Sequence, residues 1–155
     1  MYYAGIGSRA TPPDILNLMS KLARKFSRQG YILRSGGAKG ADTAFHAGVI
    51  DVCGEAEIFT VQHATPESLE MAEKYHPNWS ACSEYAKQLH ARNGMIILGR
   101  HLDNPVKFVI CWTPEGKITG GTGQALRIAA DYKISVRNLA IEDHYKRAIE
   151  YVSKR

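Results

Sequence analysis

The chain has 155 residues, of which 45% are hydrophobic and 23% charged, with a formal net charge of +5. A chain of this length buries roughly 70% of its surface on folding, so one domain spanning residues 1–155 with a single substantial core is expected. These proportions exclude disordered, collagen-like and coiled-coil classes. The longest apolar runs, Gly94 to Gly99 and Val106 to Trp112, are too short to span a membrane. The N-terminus has no basic region leading into an apolar stretch, so no secretory signal is read there and a cytoplasmic location is expected, with no membrane partner. The positive charge suits an anionic partner.

In chain order, Tyr2 to Gly7 reads as a first strand ending in glycines. Thr11-Pro12-Pro13-Asp14 predicts a helix start with Thr11 as N-cap. The following helix places Ile15, Leu18, Met19, Leu22 and Phe26 on one face, with Lys21, Arg24, Lys25 and Arg28 opposite, and Gly30 as its stop. Lys21, Arg24, Lys25 and Arg28 suit a solvated face, with a phosphate-tracking surface as the alternative. Tyr31 to Ser35 is a second strand, Gly36 to Gly40 a glycine-rich turn, and Ala41 to Cys53 a helix of small residues. Ile58 to Val61 is a third strand. Thr65-Pro66-Glu67 opens a helix that Pro77-Asn78 breaks, and Ser80 starts another through about Arg92. Val106 to Trp112 has the continuous apolar character of a strand buried on both faces. Thr122 to Tyr132 is a helix and Ile134 to Ile141 a last strand. Tyr145, Ala148, Ile149 and Val152 give the closing helix its apolar stripe. Strands alternating with helices predict an α/β fold: a single doubly wound, Rossmann-like domain with a mainly parallel sheet.

Such sheets bind ligands at the carboxyl ends of their strands, where strand order reverses, and the glycine-rich segments all follow predicted strands. The first is Gly5-Ile6-Gly7-Ser8-Arg9, where Gly7 admits close backbone approach, Ser8 supplies a hydroxyl and Arg9 a two-pronged phosphate donor. The dinucleotide fingerprint is incomplete, and Ser35 stands where a ribose-binding acid would end the second strand, so NAD is not expected. The second is Ser35-Gly36-Gly37-Ala38-Lys39-Gly40-Ala41-Asp42, an anion-binding helix start with Lys39 as added charge. Asp42 reads as a helix cap or a ligand contact, and His46 as a core histidine. The third, Thr119-Gly120-Gly121-Thr122-Gly123-Gln124, combines hydroxyls with backbone amides suited to a second phosphate or a sugar. Two such loops favour a nucleotide or nucleotide-derived small molecule, with no cofactor.

Cys53, Cys82 and Cys111 form no CxxC pair and have no histidine at metal-ligand spacing, so they read as reduced structural thiols and no metal site is expected.

The Gly7-Ser8-Arg9 turn, Leu33 to Asp42 with His46, and Ala91-Arg92-Asn93-Gly94 with Gly99 resemble the Rossmann-like core of the DNA-processing protein A (DprA) family. That family carries a GSR turn, an SG-x-A-[KR]-G-x-D segment with an Ala-His pair, and an RN…G segment; Phe45 replaces the alanine here. The resemblance implies ligand binding through Gly7, Ser8, Arg9, Ser35, Gly36, Gly37, Lys39, Asp42, Arg92, Asn93, Gly120, Gly121 and Thr122. It also implies single-stranded DNA binding through Arg9, Lys39 and Arg92, with Tyr2, Tyr3 or Trp112 as stacking candidates if they surface near the site, although the tyrosines read better as sheet residues. The third loop is similar to the phosphate loop of LOG nucleotide phosphoribohydrolases, PGGxGTxxE, and the wider SLOG group includes nucleotide-signal sensors. Alignment on Gly120-Gly121-Thr122-Gly123 puts Gln124 at the threonine and Arg127 at the catalytic glutamate. N-glycosidic hydrolysis would therefore need another carboxylate, Asp42 or Glu115. Related folds often dimerise, which implies a homodimer or a higher homo-oligomer.

Overall fold

The computed structural model describes residues 1–154. Five parallel strands form one sheet: β1 (Tyr2–Gly5), β2 (Ile32–Ser35), β3 (Ala56–Ile58), β4 (Phe108–Cys111) and β5 (Ser135–Asn138), in the order β3-β2-β1-β4-β5. Six helices cover it: α1 (Pro13–Arg28), α2 (Ala41–Asp51), α3 (Pro66–Tyr75), α4 (Glu84–Leu98), α5 (Gly120–Asp131) and α6 (Glu142–Ser153). No helix among the described residues is long and apolar enough to cross a membrane. The expected doubly wound α/β architecture is what the chain adopts.

Strand alternation divides the core. Tyr3, Leu33 and Ile110 face α1, α2 and α6, packing with Leu18, Met19, Leu22, Phe26, Phe45 and Val49. Ala4, Ile6, Val109 and Cys111 face the other way, against Ile96, Ile97, Leu98, Leu126 and Ile128 of α4 and α5. The predicted stripe of α1 is buried throughout, from Ile15 to Phe26. Its polar side is partly committed to tertiary contacts: Arg24 pairs with Asp51 at 3.1 Å, and Lys25 Nζ donates to the Lys154 carbonyl at 2.8 Å and to that of Tyr151.

Several boundaries differ from the sequence reading. α1 starts at Pro13 with Pro12 as N-cap and no capping side chain, because the Thr11 hydroxyl donates instead to the Ser8 carbonyl at 2.5 Å. β3 lies earlier than Ile58 to Val61: only Ala56–Ile58 pair in register with β2, and Val61–His63 turn into a one-turn 3-10 helix. α4 begins one cap later, at Ser83, and continues past Arg92 to Leu98. Gly94 lies inside it, where a Cβ would be in ordinary contact with Ile128 Cδ1 at 3.6 Å and Met71 Cγ at 3.8 Å. On α6 the stripe uses Tyr145, Ala148, Tyr151 and Val152, while Ile149 is exposed.

β1 occupies the centre of the sheet, and the chain builds outward from it through β2 on one side and β4 on the other. That reversal makes the carboxyl ends of β1 and β4 the switch point at which α/β sheets place ligands.

Candidate functional site

A cleft of about 460 Å³ opens at this point. Ile6, Gly7, Ser8 and Arg9 form one side, Asp42 and Arg92 lie beside them, and Thr119, Gly120, Gly121 and Thr122 form the opposite side. Ala86, Leu89, His90 and Asn93 contribute one face of α4 at helical spacing.

The first loop stays against the sheet. Ile6 N–H donates to the Ile110 carbonyl at 3.1 Å and Ser8 N–H to the Trp112 carbonyl at 3.0 Å. A Cβ on Gly7 would lie 2.6 Å from Ala41 Cβ, so glycine is what lets this loop lie against the start of α2. Arg9 is exposed at the mouth of the cleft.

The second loop is split. Asp42 lines the cleft, whereas Ser35, Gly36, Gly37 and Lys39 do not. The Ser35 hydroxyl is buried and donates to the Gly5 carbonyl at 2.5 Å, tying β2 to β1. Gly36 packs behind the charged pair: a Cβ there would sit 2.7 Å from Asp42 Oδ2 and closer still to the Arg92 guanidinium. Gly37 and Lys39 are exposed to the outside. Of this turn, Ala38 is the residue that reaches the cleft beside Asp42, so the four expected there lie around the cleft rather than on its wall.

Asp42 and Arg92 are 6% and 8% exposed, and among the described residues they are the only acid and the most deeply buried base on the cleft wall. Arg92 Nη1 donates to the Phe59 carbonyl at 3.0 Å and Nε to Asn93 Oδ1 at 3.0 Å. Asp42 Oδ2 accepts the Ala38 amide at 3.3 Å. Burial raises the Asp42 pKa, opposed first by the Arg92 guanidinium and then by the Ala38 amide. Burial likewise lowers that of Arg92 against the pull of Asp42. For both groups desolvation outweighs mutual attraction, so burial disfavours the charged form of each.

The third loop opens α5 with no capping side chain from Thr119, and α2 likewise begins at Gly40 without one. By contrast, α3 and α4 are capped by the hydroxyls of Thr65 and Ser83. The first turn of α5 thus lines the cleft, which lies at the positive end of that helix's dipole. Asn93 Nδ2 fixes this loop by donating to the Gly121 carbonyl at 3.0 Å.

Glu115 lies outside the cleft lining, exposed and paired with Lys117 at 2.9 Å. Arg127, aligned with the glutamate of the phosphoribohydrolase motif, points to α3: its Nε donates to the Tyr75 carbonyl at 2.9 Å and its Nη2 to Gln124 Oε1 at 2.8 Å. Gln124 in turn donates to the Ala72 carbonyl at 2.9 Å, so both residues serve packing. His46 is half-buried and off the cleft. The stacking candidates do not line it either. Tyr3 is wholly buried among Phe26, Phe45 and Phe108, Tyr2 carries the Arg34 guanidinium 4.0 Å from its ring centre, and Trp112 packs on the α1 side of the sheet.

Sequence reasoning missed Ala86, Leu89 and His90, which share with Asn93 one face of α4 and belong to no recognisable motif. It also missed the surroundings of Cys82, whose sulfur lies 3.7 Å from His76 Nε2 and 3.9 Å from Nδ1. His90 joins them, its ring 4.5 Å from that of His76 and its pKa pushed down to about 4 by burial, with His76 and Arg127 adding to the effect. The three residues come from a helix end, a loop and the middle of the next helix, so no short motif announces them.

No protein-family model matches the chain, and comparison with curated proteins and with solved structures gives no match.

Proposed function

We propose that the cleft binds a nucleotide or nucleotide-derived molecule, with its phosphate at the start of α5 and its base along the Ala86–Leu89 face of α4. The observation that carries this reading is the uncapped N-terminus of α5 sharing one cleft with Arg9. Backbone amides and a guanidinium that converge on one volume suit a phosphate. The volume of about 460 Å³ lies in the range of small-molecule sites. The resemblance of the GSR and SGGAKGAD segments to the DprA core and the SLOG group points in the same direction.

Thermal shift against nucleoside mono- and diphosphates, cyclic dinucleotides and ADP-ribose species tests it, with chromatography of each incubated sample. A nucleotide should raise the melting temperature of the wild type and do so far less for Arg9→Ala and for Gly121→Val, which narrows the third loop. Equal shifts in both variants would reject the site.

A second reading, hydrolysis of the N-glycosidic bond, is favoured by one feature: among the described residues Asp42 is the only carboxylate lining the cleft, and burial holds its proton more tightly than usual. A free base released by the wild type and not by Asp42→Asn would support it; an intact nucleotide throughout would end it. Single-stranded DNA binding has less behind it, since His90 is the only aromatic ring among the described residues lining the cleft. A steep fall of affinity with salt is what that alternative requires.

A further inference from the structure

We propose that His76, Cys82 and His90 form a binding site for a zinc-class divalent ion, with one coordination position left open beside the cleft. One ligand atom from each residue lies within 4.8 Å of the other two. A tetrahedral ion with sulfur at about 2.3 Å and nitrogen at about 2.0 Å separates those ligands by roughly 3.5 Å. The observed Cys82 Sγ to His76 distances of 3.7 and 3.9 Å are therefore already near the bound geometry.

Two observations distinguish this cluster from a chance meeting of side chains. His90 Nδ1 is buried with no hydrogen-bond partner, an orphan nitrogen of the kind a folded protein seldom leaves. The backbone also holds the ligands from both sides: His76 caps the end of α3, Cys82 follows the 3-10 turn Trp79–Ala81, and His90 projects from α4. His76 Nδ1 accepts the Asn78 amide at 3.0 Å, and Asn78 is exposed, so ligation through that nitrogen passes the amide to water.

The donor set selects the ion. One thiolate and two imidazoles suit zinc or cobalt and offer nothing to magnesium or calcium, which take oxygen ligands. Binding forms the sulfur–metal bond as the Cys82 thiol gives up its proton to solvent. Three protein ligands leave a fourth position for water or a ligand atom. His90 also lines the cleft, so the ion adjoins the volume in which we place the nucleotide, although ion binding itself stands independently of that reading.

The test is titration of the chelator-treated full chain with cobalt(II), followed by displacement with zinc. The wild type should bind one cobalt per chain with a thiolate-to-cobalt charge-transfer band and the strong visible bands of four-coordination. Cys82→Ser should lose the charge-transfer band and bind at least about 100-fold more weakly, whereas Cys53→Ser should behave as wild type. Far-UV circular dichroism of the apo variants establishes that they are folded. Absence of the band in the wild type, or its persistence in Cys82→Ser, would overturn the proposal.

Discussion

Asn93 Nδ2 donates to the Gly121 carbonyl at 3.0 Å, joining the middle of α4 to the first turn of α5 across the cleft. The same side chain accepts from Arg92 Nε through its oxygen, so one asparagine couples the buried guanidinium to the third glycine loop. Asn93→Ala breaks both contacts and leaves α4 intact. We expect nucleotide affinity to fall about tenfold, one hydrogen bond's worth, with little change in melting temperature. Calorimetric titration beside a thermal melt checks both.

Gly36 is the tight point behind the site. An alanine methyl would press on Asp42 and Arg92, so Gly36→Ala should destabilise the fold by about 1–3 kcal/mol. Gly37→Ala, one residue along, has open space around its Cβ and should be close to neutral. Urea unfolding of the pair separates a packing requirement from a general intolerance of the loop to side chains.

These two glycines look alike in the sequence, and the difference between them marks what one chain could and could not reveal. The α1 stripe from Ile15 to Phe26 was legible because one periodic signal was backed by burial of the whole face. The parallel sheet was legible because strands and helices alternate. β3 was misplaced because its paired residues, Ala56 and Glu57, have little strand propensity, while the apolar Phe59 lies just past the strand. The helix expected to end near Arg92 continues through Gly94 to Leu98, with Ile128 and Met71 packed beside that glycine. At the site, Arg9, Asp42, Arg92 and the third loop were found from their motifs. The exposure of Gly37 and Lys39, on either side of an Ala38 that lines the cleft, is something no local pattern encodes. The approach of Cys82 to two histidines depends on how α3 turns into α4.

The aromatic core holds a polar group at a cost. The Tyr3 hydroxyl is buried without a hydrogen-bond partner among four aromatic rings. Tyr3→Phe should therefore stabilise the protein by about 1 kcal/mol, raising the melting temperature by roughly 3 °C.

Alkaline pH should expose the same burial. Desolvation raises the pKa of Tyr3 and pushes that of Cys111 up to about 12, so the folded state keeps both protons longer than the unfolded chain does. Their stabilising contribution is complete below the unfolded values, about 8.5 for a thiol and 10 for a phenol, and is lost as pH rises toward the folded ones. Urea midpoints should fall above about pH 8.5, and above about pH 10 they should fall less steeply for Tyr3→Phe than for the wild type.

Asp42 follows the same sign at lower pH. Its raised pKa means that its own contribution to stability is complete below the ordinary carboxylate range and is lost as pH rises through the folded value. Asp42→Asn should remove this slope, leaving the variant the more stable of the two at neutral pH. Melting temperatures of both proteins between about pH 4 and 8 check it.

The central claim is that the start of α5 and Arg9 together receive a phosphate. The most direct measurement is calorimetric titration of the wild type and Arg9→Ala with a nucleoside monophosphate and with the matching nucleoside. The account predicts that the monophosphate binds at least about tenfold more tightly than the nucleoside, and that Arg9→Ala removes most of that difference. Equal binding of the two compounds, or a preference for phosphate unchanged in Arg9→Ala, would contradict it.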